Sequence, residues 1–223
     1  MDNNVAFDMS WSARLFIGQV FPMIKDEIGG GRAIIMEGRS DAELARILDM
    51  NAGIDCWQVM EGGGLRGIAC RVQKGDKVWG TFTVRKMRAS GAETEYSKRK
   101  KSVNSEIGEI YPHFTIQAYS QTDTGPVMAV AICRTKDLIN FIDPERTPVK
   151  HTTNACFFVC NWVEMQQQGV DVRVIVSDFG QEEFSFLSPI RNYEKMLKYK
   201  KYIIPKIVLS YGEIENWETA STP

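Results

Sequence analysis

The sequence predicts a mixed α/β protein built on one main domain. Three observations carry that expectation. Hydrophobic residues make up 43% and charged residues 25% of 223 residues, a balance that supports a packed core. Segments of helical period alternate with short apolar runs of strand character. Glycine clusters punctuate the chain between them.

Trp11 to Ile28 has helical spacing, with Ser10 placed as its N-cap and Leu15, Val20, Met23, Ile24 and Ile28 on one side. Pro22 is expected to disturb it. Gly29-Gly30-Gly31 closes it as a C-cap and turn. A phosphate-cradling loop would need a following helix, whereas Ala33 to Met36 has strand character. Ser40-Asp41-Ala42-Glu43 opens a second helix with a capping box. Three strands then follow as a predicted antiparallel meander: Ile54 to Met60, Leu65 to Gln73 and Val78 to Arg85. Glu61 to Gly64 and Gly75-Asp76 supply the turns between them.

Residues 86 to 108 are polar and read as a mobile loop or a solvated helix. Ile110 to Tyr119 and Pro126 to Arg134 are strands, and Thr135 is placed to cap a helix from Lys136 to Ile142. Two prolines in Asp143 to Pro148 mark the best boundary. The expected division is a core of residues 1–143 and a C-terminal extension, 144–223, packed on or continuing it. In that extension Ala155 to Met165 is helix or buried strand, Val172 to Val176 is a strand, and Ile190 to Tyr202 is a basic helix.

Composition excludes several chemistries. His113 and His151 are the only histidines, so histidine-rich zinc sites and histidine relays have little material. Five cysteines, an odd number in mostly apolar segments, read as buried free thiols and not as a disulfide framework. No apolar run is long enough to span a bilayer, and Met1 to Ser10 lacks the marks of a signal peptide. The expectation is a cytoplasmic protein without a membrane. Net charge is −1, so any affinity for nucleic acid must come from a local basic patch.

The candidate site begins at Gly53-Ile54-Asp55, where a glycine lets the chain turn and an acid opens a strand. On the next strand Arg71 and Gln73 share a face, because residues two apart in a strand point the same way. A carboxylate beside polar groups at the end of a hairpin suits a hard divalent cation and a phosphodiester. This pattern resembles the PD-(D/E)XK nuclease superfamily, most closely over residues 40 to 86. The family places an Asp at a strand start, often within Gly-Ile-Asp, and then Glu or Gln, a spacer and Lys on the next strand. Here the second half reads Arg71-Val72-Gln73, with cation and amide exchanged.

The resemblance implies a restriction-endonuclease-like mixed central sheet flanked by helices. It also implies a Mg²⁺ site on Asp55, completed by a helix acid, with Glu37, Asp41 and Glu43 as the candidates and Glu37 the one taken forward. Arg71 and Gln73 would complete the catalytic set. The implied activity is Mg²⁺-dependent cleavage of DNA or RNA. The alternative is a binding or inhibitor protein, of mobile-element origin, that keeps the scaffold without the chemistry. Lys98-Arg99-Lys100-Lys101 is the candidate contact to the phosphate backbone; by itself such a run is also what a solvated loop needs.

Overall fold

The computed structural model describes residues 11–35, 52–105, 110–177 and the backbone of 207–209. The helix predicted after Ser40 and the basic helix at Ile190 to Tyr202 lie outside these residues. The chain is mixed α/β, with sheet dominating. Seven strands form one sheet in the order β1 (Arg32–Ile35), β2 (Cys56–Val59), β3 (Leu65–Lys74), β5 (Phe114–Ser120), β6 (Val127–Arg134), β9 (Val172–Val176) and β10 (Ile207–Leu209). Pairing is antiparallel except for β3 with β5 and β9 with β10. A second sheet of three antiparallel strands runs β4 (Thr81–Arg88), β8 (Ala155–Asn161), β7 (Val149–His151).

The expected meander therefore holds only for its first two strands. β4 leaves the main sheet, and β5 takes the place beside β3, running parallel to it. A parallel neighbour needs a crossover, and β4 with helix α2 (Glu95–Val103) supplies it. Strand alternation is a local signal and carries no information about the partner.

Residues 11–24 form helix α1. Its middle, Phe16–Val20, is widened to π geometry, and Phe21 N–H reaches back to Phe16 O. Pro22 follows at once. Its ring would strike the carbonyl four residues back in a regular helix, and the wide turn accommodates it. One face of the main sheet packs on α1: Leu15, Phe16, Val20 and Ile24 meet Ile68, Ile116, Val130 and Ile132. Arg66 and Gln58 donate to the Ile28 carbonyl at 3.1 Å each, tying the turn after α1 to β3 and β2.

The other face of the main sheet packs on the inner face of the second sheet. Phe82, Val84, Phe158 and Cys160 meet Tyr119, Ala129, Ala131 and Val174 there. Helices α3 (Thr135–Phe141) and α4 (Trp162–Gln167) close that layer with Leu138, Trp162 and Met165. Polar pins join the sheets. Tyr119 Oη donates to Thr81 O at 3.0 Å, and Thr83 Oγ1 donates to Gln117 Oε1 at 3.3 Å. Ala155 to Met165, open between helix and strand from sequence, is β8 followed by α4. Thr135 does not cap by side chain; its hydroxyl shares a 2.9 Å bond with that of Thr115. Residues after 143 contribute strands to both sheets.

Adjacent phenylalanines test this layering. Phe158 is fully buried between the sheets, whereas Phe157 lies half-buried on the outer face. Phe158→Ala should cost about 3–5 kcal/mol in urea unfolding, and Phe157→Ala about 1 kcal/mol or less. Equal costs would contradict the assignment of faces.

Candidate functional site

Gly53 has φ of 64°, the left-handed turn that glycine favours, and it brings Asp55 to the opening of β2. Asp55 N–H donates to Ile68 O at 3.0 Å, and its carboxylate accepts Cys70 N–H at 2.6 Å. The carboxylate thus stands in for a ladder carbonyl at the strand end. In register, Cys56 pairs with Ile68 and both face α1. By alternation Asp55 falls on the opposite face, shared by Ala69, Arg71 and Gln73. Gln73 lies three positions, about 10 Å, along β3 from the amide that Asp55 holds. Its neighbour in register is Tyr119. Glu37, Asp41 and Glu43 lie outside the described residues.

Arg71 turns away from the strand toward a cluster that no local motif assembles. Its Nη2 meets Glu95 Oε2 at 3.2 Å, and its Nη1 donates to Thr83 Oγ1 at 3.0 Å. Glu95 also takes Arg99 Nη2 at 2.8 Å and the Arg85 amide at 3.1 Å. One carboxylate thus collects groups from β3, β4 and α2. Burial pushes the Glu95 carboxyl up, but Arg99, Arg71 and the Arg85 amide outweigh it and hold it at about 2.

The basic run on α2 divides accordingly. Thr94 caps the helix by accepting Ser97 N–H, so the segment is a helix and not a loop. Arg99 is 3% exposed, paired with Glu95 and directed at Gly53 O, 3.4 Å away. That corrects its expected place among the backbone contacts: Arg99 is an internal strut. Lys100 and Lys101 are exposed and Lys98 is half-exposed.

Arg85 belongs to the same neighbourhood. Its guanidinium lies 5.5 Å from the Phe157 ring centre, and that of Arg71 lies 5.1 Å from the same ring. Burial lowers the Arg85 pKa, and the positive charges of Arg71 and Arg88 lower it further. Both guanidiniums sit at one ring, with Glu95 bonded to Arg71 and to the Arg85 amide.

The thiols beside Asp55 have no such poise. Burial raises Cys56 to about 12, and burial followed by the Asp55 charge raises Cys70 well above the ordinary thiol range. Both stay protonated and are poor nucleophiles or metal ligands. A hard divalent cation takes several oxygen donors. Among the described residues no group of three potential acidic, histidine or cysteine ligands gathers, and Asp55 is the one carboxylate of the implied set that they include.

No family model matches the chain, and no match was found among curated proteins or solved structures. No described helix is long and apolar enough to cross a membrane.

The Glu95 cluster has a defined pH signature. A carboxyl whose pKa falls on folding stabilises the fold above its unfolded value, about 4.3. That stability is lost as pH falls through the folded value of about 2. Glu95→Gln should cost about 3 kcal/mol at pH 7 and flatten the stability profile between about pH 4.5 and 2. An unchanged slope in that window, measured by urea unfolding, would contradict the coupling.

Proposed function

We propose that this protein binds nucleic acid by its phosphate backbone, on a restriction-endonuclease-like scaffold. The scaffold reading is supported by the mixed main sheet, by Asp55 at the opening of β2 and by Arg71 on the neighbouring strand. The binding reading rests chiefly on Arg71 and Arg85, whose guanidiniums lie 5.1 and 5.5 Å from the centre of the one Phe157 ring, with Glu95 paired to Arg71. A site of unbalanced, partly exposed guanidiniums suits repeated phosphates, which they grip bidentately. The exposed lysines of α2 extend the same charge, while Arg99 holds the scaffold beneath them. A chain of net charge −1 binds this way only through such a local patch.

Metal-dependent cleavage is the second reading, favoured by Asp55 falling on the face that carries Arg71. In that reading Asp55, with Glu37 from the preceding segment, would hold Mg²⁺. The ion would supply an activated water and offset charge on the phosphate. Arg71 would stabilise the phosphate from its place beside Glu95, and Gln73 would orient substrate further along β3. The competing account is a binding protein that lacks the chemistry, consistent with the order Arg71-Val72-Gln73.

Affinity for labelled DNA and RNA should fall steeply with salt. Arg71→Ala and Arg85→Ala should each weaken binding about tenfold and reduce the salt slope by about 1. Lys98, Lys100 and Lys101 changed together to Ala should reduce it by about 2–3. Unchanged slopes in all these variants would overturn the binding reading. For the second reading, cleavage in Mg²⁺ or Mn²⁺ should vanish with EDTA and with Asp55→Asn. Cleavage that survives both refutes the metal mechanism, and absence of cleavage in either metal leaves the protein a binder.

A further inference from the structure

Register within the second sheet builds a row of side chains that no local motif reveals. Arg85 on β4 stands opposite Phe157 on β8, and Phe157 stands opposite Lys150 on β7. Directly opposed residues in antiparallel strands share a face. That face is opposite the one on which Val84, Phe158 and Val149 pack into the core, and at its β4 edge Thr83 meets Arg71 and Gln117 of the main sheet. The row is thus cation, aromatic ring, cation.

The surroundings continue the pattern. Arg88 pairs with Ala155 on the same outer side. Arg71 reaches the Phe157 ring from the main sheet. Lys150 Nζ lies 6.0 Å from the ring centre of Trp79, which precedes β4 and is 55% exposed. The three strands β4, β7 and β8 hold Arg85, Lys86, Arg88 and Lys150 and not one Asp or Glu. A surface with no other task usually mixes both signs, whereas here the half-buried Phe157 and the exposed Trp79 stand among cations.

Resting on the nucleic-acid reading, we propose that the outer face of β4, β8 and β7 is a platform for single-stranded nucleic acid, with bases stacked on Phe157 and Trp79 and phosphates held by Arg85, Arg88, Lys150 and Arg71. The charge of the face selects a polyanion. The rings select an unpaired strand, since a duplex keeps its base faces stacked within itself. Stacking is tolerant of sequence because every base has a π-face.

The test is fluorescence anisotropy with labelled strands of about 16 nucleotides, the upper end of the site sizes of single-strand-binding grooves. Four probes are compared: single-stranded DNA, single-stranded RNA, duplex DNA, and an abasic strand with the same number of phosphates. Single strands should bind about tenfold or more tighter than the abasic strand and the duplex. Phe157→Leu should erase that preference, and Phe157→Tyr should keep it. Trp79→Phe should remove a part of the tryptophan fluorescence quenched by single strands. The urea midpoint of each variant confirms that it is folded. If the abasic strand binds as well as the intact one, or if folded Phe157→Leu keeps the preference, the platform is overturned while phosphate binding stands. If none of the four probes binds, the platform and the nucleic-acid reading fall together.

Discussion

The ionised carboxylate of Glu95 is the interaction on which the candidate site depends. It is four-fifths buried and takes Arg71 from β3, Arg99 from its own helix and the amide of Arg85 from β4. A carboxylate in that position without its arginines would carry a desolvation cost of several kcal/mol, and so would the arginines without it. Each partner is therefore retained by the others. Arg99 extends the network to Gly53 O, so the turn before Asp55, the start of α2 and the middle of β3 are held by one set of charges.

The network also sets the direction of Arg71. A half-exposed arginine on a strand has many rotamers, and ordering it costs entropy. Bonds to Glu95 and Thr83 hold the guanidinium toward the second sheet, beside Phe157. The same bonds take two of its nitrogen groups and Phe157 lies against it, leaving the remaining edge to meet a ligand. Glu95 itself touches no proposed ligand and acts as a positioning residue.

Much of the fold was legible in the sequence, and the reason is local. β2, β6 and β9 fall within segments that alternation and glycine turns predict, β3 and β5 overrun theirs by one residue, and Pro22 marks a disturbance in α1. The departure of β4 was not legible, because pairing is decided by packing at long range. The α2 segment was ambiguous because its buried residues, Tyr96, Arg99 and Ser102, include only one apolar side chain. A template that counts apolar residues does not register a helix whose core contact is an arginine. Two signals could have found the cluster: Thr94 as an N-cap before Glu95, and the spacing of Glu95 and Arg99 at i, i+4. The row Arg85, Phe157, Lys150 had no such signal, since it exists only once strands some 70 residues apart are in register.

The central claim is that Glu95 organises the arginines for binding and does not merely offset their charge. These two roles make opposite demands on one variant. Glu95→Gln removes a negative charge beside three cations, so a purely coulombic patch would bind single-stranded nucleic acid more tightly. If Glu95 is the organiser, the arginines lose their fixed direction in that variant, and affinity falls about tenfold despite the added positive charge. The decisive measurement is the dissociation constant of folded Glu95→Gln against the unaltered protein at one salt concentration. Weaker binding is the predicted result, and equal or tighter binding would contradict it.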